Sequence, residues 1–528
     1  MPNGPPARSS RQKIGLVLGI VLFLLVLAAP TPEGMSPEAK RMAAVAVLMG
    51  TWWISEAIAI ALTALLPLAL LPLLGIMPSV EVAPRYADHV IFLFFGGFVV
   101  ALAIQKWNLH RRIALRTILM VGAEPSRLLL GFMLAAAFLS MWMSNTACVM
   151  MMFPIGMAVV SQLASESATG DAADSDGRRV LESFGPVLML GIAYAASIGG
   201  IGTLIGTPPN LVFAGTVRNL FPEAPEIGFL QWMGIGMPVV VLFLPLAWLY
   251  LCRFGGRTPL RQLRFPGSAT VIQEELRKLG KMTPQEKRVL AIWSAMALLW
   301  IFRNPIQLGA FTVPGWSELF GQPAYLHDAT VAMSMALLLC LTPAGAADGA
   351  SGNGRRGAFL MDWETIRTGL PWGILLLFGG GFAMAAGFQK TGLAEWIGSR
   401  LAGLEGVPPL LIIAVTCLVL TFLTEVTSNT ATATMAMPVL AATAIQMGVH
   451  PFLLMIPAII STSCAFMLPV STPPNAIVFG SGWVTIPQMA RAGIMLDLAG
   501  VIIVTTVAYF LAATVFGAPL DQLPVWAR

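Results

Sequence analysis

Charge is scarce in this chain. Of its 528 residues only 11% are Asp, Glu, Lys or Arg, where a soluble domain carries about 25%. Hydrophobic residues make up 57% and the mean hydropathy is +0.79. That balance excludes a soluble globular protein. The apolar runs are of the length that crosses a bilayer as helix, so the expected fold is an all-α polytopic membrane protein with the lipid bilayer as its surroundings. The net charge of +5 is too modest to suggest nucleic acid as a partner. Cysteine is equally sparse. Cys148, Cys252, Cys340, Cys417 and Cys464 are scattered, with neither metal-ligand spacing nor a disulfide framework. The four histidines (His89, His110, His327, His450) fall near segment ends and form no ligand cluster. No nucleophile–base pair stands at membrane depth, which argues against an intramembrane enzyme, and no organic cofactor is expected.

The basic residues that are present cluster in four places. Arg8, Arg11 and Lys13 precede an apolar run from Ile14 to Ala29; with many spans following, this is expected to be a retained first transmembrane helix rather than a cleaved leader. Arg111, Arg112 and Arg116 form the second group. The stretch 253–288 holds Arg253, Arg257, Arg261, Arg264, Arg277, Lys278, Lys281, Lys287 and Arg288. Arg355 and Arg356 make the fourth. Between them lie apolar segments at 41–76 (divided by Ser55 and Glu56), 86–106, 128–163, 184–217, 229–252, 289–303, 327–345, 366–389, 409–447, 451–482 and 493–516. Lys and Arg mark cytoplasmic loops. The expected location is the cell (inner) membrane, with the N-terminus cytoplasmic and the C-terminus outside.

Set inside this apolar sequence are polar, helix-breaking motifs that occur twice. Ser144-Asn145-Thr146 recurs as Ser428-Asn429-Thr430, and Thr207-Pro208-Pro209-Asn210 recurs as Thr472-Pro473-Pro474-Asn475. Asn145 and Asn429 stand 284 residues apart. Gly97-Phe98 and Gly381-Phe382 share that offset, as do Gln105-Lys106 and Gln389-Lys390. The halves are therefore repeats. The register shifts before Thr-Pro-Pro-Asn because of a polar insertion at 161–182, expected to be a surface loop. Treating both Ser-Asn-Thr segments as re-entrant hairpins puts all four basic groups on the cytoplasmic side and leaves about 11 transmembrane helices. Each repeat then has five full spans, so the two are inverted. Inverted repeats with broken helices meeting near the midplane are a secondary-transporter architecture.

Hydroxyls, Asn amide oxygens and freed backbone carbonyls suit a small hard cation, while amide NH₂ and backbone N–H groups suit carboxylate oxygens. No Lys or Arg occurs from Leu128 to Gly177, from Val180 to Val217, or from Leu401 to Ala490. An anion held there lacks a fixed positive side chain of those segments, and bound cations would supply the missing charge. Ser140, one helical turn before Ser144, has its mate at Thr424, one turn before Ser428. The backbone carbonyls of Gly206 and Ser471, just ahead of the two Thr-Pro-Pro-Asn motifs, can complete each shell.

The two Ser-Asn-Thr tripeptides, both Thr-Pro-Pro-Asn motifs and the run Trp52-Trp53-Ile54-Ser55-Glu56-Ala57 resemble the divalent anion:sodium symporters, the sodium/dicarboxylate and sodium/sulfate cotransporter family. The resemblance covers nearly the whole chain. It implies a homodimer with a scaffold domain and a transport domain that moves as an elevator. Scaffold helices would fall in 1–126 and 289–408. The transport domain would comprise 127–225, the span 226–252 and 409–528, with 253–288 a basic cytoplasmic linker. One sodium site would use Ser140, Ser144, Asn145 and Gly206, and the other Thr424, Thr427, Ser428, Asn429 and Ser471. A small dianionic substrate would be held by Asn145, Thr146, Asn429 and Thr430, with Thr207, Thr472 and Pro473 alongside. The expected activity is sodium-coupled symport of a C4-type dicarboxylate such as succinate, malate or fumarate. Tricarboxylate or sulfate symport, dicarboxylate exchange and, further off, an anion channel are the alternatives. Glu425 has no symmetry mate, since Met141 stands at its counterpart; it is expected to have a structural or supporting role, with proton coupling or tuning of a cation site as the alternatives. Glu56 is expected to serve a tight helix–helix turn, and the glycine runs 96–97 and 379–381 to pack helices.

Overall fold

The computed structural model describes residues 9–122, 124–169, 175–256, 258–260, 268–308, 311–345, 359–400, 407–516, 519 and 522–527. Arg8, Arg257, Arg261, Arg264, Arg355 and Arg356, used above as topology signals, lie outside the described residues. Ser9 and Gln12 form a reciprocal capping box at the start of α1 (Ser10–Ala28). Ser36 caps α2 (Pro37–Ser55), which has proline at its first position. Glu56 then takes φ 50°, a left-handed conformation that ends the helix, at the place where the sequence divides 41–76. The remainder of that block forms α3 (Ile60–Thr63) and α4 (Leu66–Leu73), and α5 (Ser79–Val82) leads into α6 (His89–Lys106), capped by Asp88.

Next come α7 (Leu109–Val121), α8 (Pro125–Ser140), α9 (Asn145–Thr169), α10 (Ser175–Gly200), α11 (Pro208–Leu220) and α12 (Phe229–Phe254). After α13 (Ser268–Lys278) and α14 (Pro284–Ile301), a small antiparallel pair of strands, β1 (Ile306–Leu308) and β2 (Phe311–Val313), precedes α15 (Asp328–Leu341). The second half continues with α16 (Trp363–Gly369), α17 (Trp372–Thr391), α18 (Leu393–Arg400), α19 (Pro409–Thr424), α20 (Asn429–Gln446), α21 (Phe452–Ser461), α22 (Pro473–Phe479) and α23 (Ile486–Phe516). Among the described residues seven helices are long and apolar enough to cross a membrane. Shorter apolar helices, among them α8, α19 and α21, accompany them.

Both Ser-Asn-Thr segments are two helices joined at the tripeptide. α8 and α19 start and end 284 residues apart, and so do the starts of α9 and α20. Each Thr-Pro-Pro-Asn segment is a helix broken before its Thr-Pro, α10 with α11 and α21 with α22. The packing crosses between halves, with α11 against α20 and α22 against α9. One large apolar core runs through α6–α12 and α19–α23. A second core, built on Met42, Met49, Trp53, Leu377 and Met384, joins α2 to α17.

Two expectations need correction. The insertion at 161–182 is not a loop throughout. α9 continues to Thr169 and α10 begins at Ser175, because the Ala, Ser, Gln and Glu there extend a helix already nucleated by its apolar part; 170–174 lie outside the described residues. The basic group at 111–116 is not a simple loop either. It lies on α7, which buries Leu109, His110, Arg112, Ala114, Leu115 and Ile118. Its high charge hid the helix from a hydropathy scan.

Candidate functional site

The site is built at two places where helices stop inside apolar sequence. At the first, α8 ends at Ser140 and α9 begins at Asn145. Ser140 is fully buried and its hydroxyl donates to Asn145 Oδ1 at 2.6 Å. The second has the same bond. Thr424, also fully buried, has its single hydroxyl proton shared between Asn429 Oδ1 at 2.7 Å and Thr462 O at 3.1 Å. The hydroxyl one turn before the tripeptide therefore meets the tip, rather than bonding only back to its own helix. The two donations also orient both amides. With Oδ1 turned toward the hydroxyl, Nδ2 of Asn145 and Asn429 points away from that contact, and neither Nδ2 has a partner among the described residues.

The broken helices close in from the other side. A Cβ added at Gly200 would lie 2.6 Å from Asn145 Oδ1, and one at Gly206 would lie 2.5 Å from Gly200 O and 3.0 Å from Ser140 O. Ser140, Asn145, Gly200 and Gly206 thus converge, and only residues without a side chain fit at the two glycines. The segment between α10 and α11 is stitched by Asn210, whose Nδ2 donates to Thr203 O at 2.7 Å and to Gly200 O at 3.2 Å. Asn475 does the same for the second break, donating to Ala465 O, Leu468 O and Ser471 Oγ, each at 3.1 Å. These two asparagines are absent from the expected site list. Their position in the repeated motif was the signal, and their task is to satisfy carbonyls that the break leaves without partners.

The other expected residues take the following positions. The Thr427 hydroxyl donates to Leu423 O at 2.8 Å and pairs with Thr432 Oγ1, so its hydroxyl is engaged inside the second hairpin. Ser471 Oγ donates to Leu468 O, and no described bond ties its side chain to Thr424 or Asn429. Ser144 Oγ accepts from Ala147 N at 3.2 Å and caps the start of α9. Thr430, Thr207 and Thr472 are buried, Ser428 and Thr146 half-buried, and Pro473 exposed. Thr207 and Thr472 precede helices whose first two residues are prolines. Proline has no N–H to give. Backbone donors for an anion are therefore richer at the starts of α9 and α20 than at those of α11 and α22.

Glu425, next to the second tip, accepts from Met467 N at 2.8 Å and Leu468 N at 3.0 Å. It ties the tip to the break between α21 and α22, a structural task. Asp497, fully buried on α23, lies near the same carboxyl, and neither of its own oxygens has a hydrogen-bond partner among the described residues; the sequence alone did not single it out. Arg11, which the sequence marks only as a topology signal, brings its guanidinium to the second tip at Val426 O, 3.0 Å away. A cavity of 780 Å³ does not contain the tips. It lies beside the far end of α11 among Arg85, Asp88, His89, Arg218, Glu226 and His327.

The donor set at each tip is neutral oxygen, from one hydroxyl and one amide with nearby backbone carbonyls. That set fits a small hard monovalent cation and offers nothing soft for a transition metal. No group of three or more His, Cys, Asp or Glu suited to a metal occurs among the described residues. Comparison with known proteins agrees with this chemistry. Residues 10–517 match the family described as the sodium:sulfate symporter transmembrane region. A sodium-dependent dicarboxylate transporter of Staphylococcus saprophyticus is 43% identical over 511 residues, 97% of this chain and 93% of that protein. Its counterpart from Staphylococcus aureus strain MRSA252 is 44% identical over 516 residues, 97% and 94% respectively. Among solved structures, the YdaH transporter of Alcanivorax borkumensis superposes with a TM-score of 0.52 at 13% identity, covering 97% of this chain and 98% of that one. MtrF of Neisseria gonorrhoeae gives 0.52 at 11%, with 97% of each covered. These two show the fold alone. With the family match spanning nearly its whole length, the chain belongs to the sodium:sulfate symporter family, the divalent anion:sodium symporters, and is a membrane transporter, not an enzyme.

Proposed function

We propose that the protein is a secondary active transporter that couples sodium to uptake of a C4-type dicarboxylate such as succinate, malate or fumarate. The observation that carries this reading is the matched pair of bonds, Ser140 to Asn145 and Thr424 to Asn429. Each presents a hydroxyl and an amide oxygen to one point and leaves an amide NH₂ free. A sodium ion at each point supplies positive charge. The two NH₂ groups, with Thr146, Thr430 and the N–H groups that open α9 and α20, then receive the carboxylates. Gly206 contributes to the first sodium site. Ser144, Thr427, Ser428 and Ser471 shape the tips around the ions, and Thr207, Thr472 and Pro473 border the anion. An anion bound without sodium meets no compensating charge from the hairpins, and this couples the two.

The transport movement we propose is an elevator, in a homodimer. The hairpins and broken helices (127–252 and 409–528) move against scaffold helices in 1–126 and 289–408, with the N-terminus cytoplasmic. The two named relatives are dicarboxylate transporters, whereas the family description names sulfate. Both tripeptides are intact, which favours symport over exchange. Uptake of radiolabelled succinate into proteoliposomes tests the reading. Uptake is expected to need an inward sodium gradient and to be competed by malate and fumarate more strongly than by citrate or sulfate. Equal uptake in choline medium would refute sodium coupling, and stronger competition by sulfate or citrate would reassign the substrate.

A further inference from the structure

We propose that Arg11 is a positioning residue for transport. It latches the second hairpin tip to the α1–α2 corner in one conformation of the cycle and releases it in the other. The inference rests on the elevator reading in one respect, that α19 and α20 move relative to α1 and α2.

The register of α1 on α2 places Arg11. A Cβ added at Gly15 would lie 2.1 Å from Ser55 Oγ, and one at Gly19 would lie 2.4 Å from Trp52 Nε1. Only glycine permits that approach, and Trp52 Nε1 donates to Leu16 O at 3.3 Å within it. Arg11 is one helical turn before Gly15 and so on the same face. Its guanidinium therefore arrives at the C-terminal end of α2 and donates to Ile54 O. That carbonyl is among the last four of the helix, which have no intrahelical donor, and a cation is favoured there.

The same Nη2 group donates to Val426 O at 3.0 Å. Val426 sits between the end of α19 and the start of α20, outside both helical ladders. Its carbonyl has no other donor among the described residues. Two residues on is Ser428, and the flanking Thr424 and Asn429 form the cation-binding pair. No Lys or Arg occurs from Leu401 to Ala490, so a cation at this tip has to come from elsewhere in the chain. Arg11 touches neither Thr424 nor Asn429 by any described bond. It acts on where the tip stands, not on what the tip binds.

A latch of this kind changes the populations of the two conformations, and apparent affinity follows the population of the competent one. Arg11→Ala is expected to shift KM for succinate by about two- to tenfold while substrate preference and the sodium Hill slope stay unchanged. Arg11→Lys restores a donor for the carbonyls and is expected to bring KM back toward wild type. A second arm keeps the test independent of folding in the alanine variant. In Arg11→Cys/Val426→Cys, a flexible bis-methanethiosulfonate reagent is expected to join the two positions and stop uptake until reductant is added, whereas the reagent leaves the uptake of each single variant at its untreated level. An unchanged KM in Arg11→Ala, failure of the double variant to cross-link, or full uptake while cross-linked would each overturn the latch. Loss of sodium dependence in the untreated parent protein is a separate result, and it would count against the proposed function instead.

Discussion

Asn145 and Asn429 each have one amide oxygen committed to a hydroxyl and one NH₂ left over. This division of labour gives a prediction at the scale of single residues. On the proposed reading Asn145→Ala and Asn429→Ala would each remove a cation ligand and an anion donor together, and both are expected to abolish succinate uptake while the purified protein stays monodisperse. Full activity in either variant would show that its tip is not part of the site. Asn210 and Asn475 differ in kind. Their Nδ2 groups are spent on the carbonyls of the breaks, so alanine there is expected to lower thermal stability as well as uptake.

Helices are held here by close approach and by a few buried polar anchors. The α8–α10 contact is tight at Gly199, where a Cβ would lie 2.3 Å from Ala137 O. Backbone cannot yield as a flexible side chain can. Gly199→Ala is therefore expected to cost about 1–3 kcal/mol through overpacking, measured as a fall in Tm in detergent. Arg112 anchors α7 to the start of α14. Its guanidinium bonds both oxygens of Glu286, at 2.9 and 3.1 Å, and Gly280 O at 2.8 Å, with both side chains under 5% exposed. Removing it leaves a carboxylate buried without its partner. Arg112→Ala is expected to cost about 3–5 kcal/mol, and Arg112→Ala/Glu286→Gln to recover part of that.

What the sequence showed of these elements follows from physics as well. The hairpins and broken helices were legible because polar and proline-rich motifs interrupt long apolar runs, and the 284-residue offset paired them. Ser140 and Thr424 were legible because one helical turn separates each from its tripeptide. The α7 helix was hidden by its own arginines, and the helical ends of the 161–182 insertion by their polarity. Arg11 and Asp497 were out of reach for another reason. Arg11 reaches the second tip and Asp497 lies near Glu425 from distant parts of the chain, and no local spacing records such proximity.

At the scale of the whole molecule, the crossed packing of α11 on α20 and α22 on α9 brings both tips into one body, although they come from opposite halves of the chain. The glycine at 380, where a Cβ would lie 2.4 Å from Ala64 O, shows how closely α17 approaches its neighbours beside that body. On the proposed reading, that body would carry two cation points and one anion and move with its cargo. The same reading has the ions and the anion bind as a set. The most direct test is the sodium dependence of initial succinate uptake in proteoliposomes, compared for wild type, Ser140→Ala and Thr424→Ala. The account predicts a sigmoidal dependence in the wild type with a Hill slope above 1, approaching about 2 for two strongly coupled sites. In each variant the half-saturating sodium concentration is expected to rise about tenfold or more, as loss of one ligand to a charged group implies. A hyperbolic curve that neither substitution moves would contradict it.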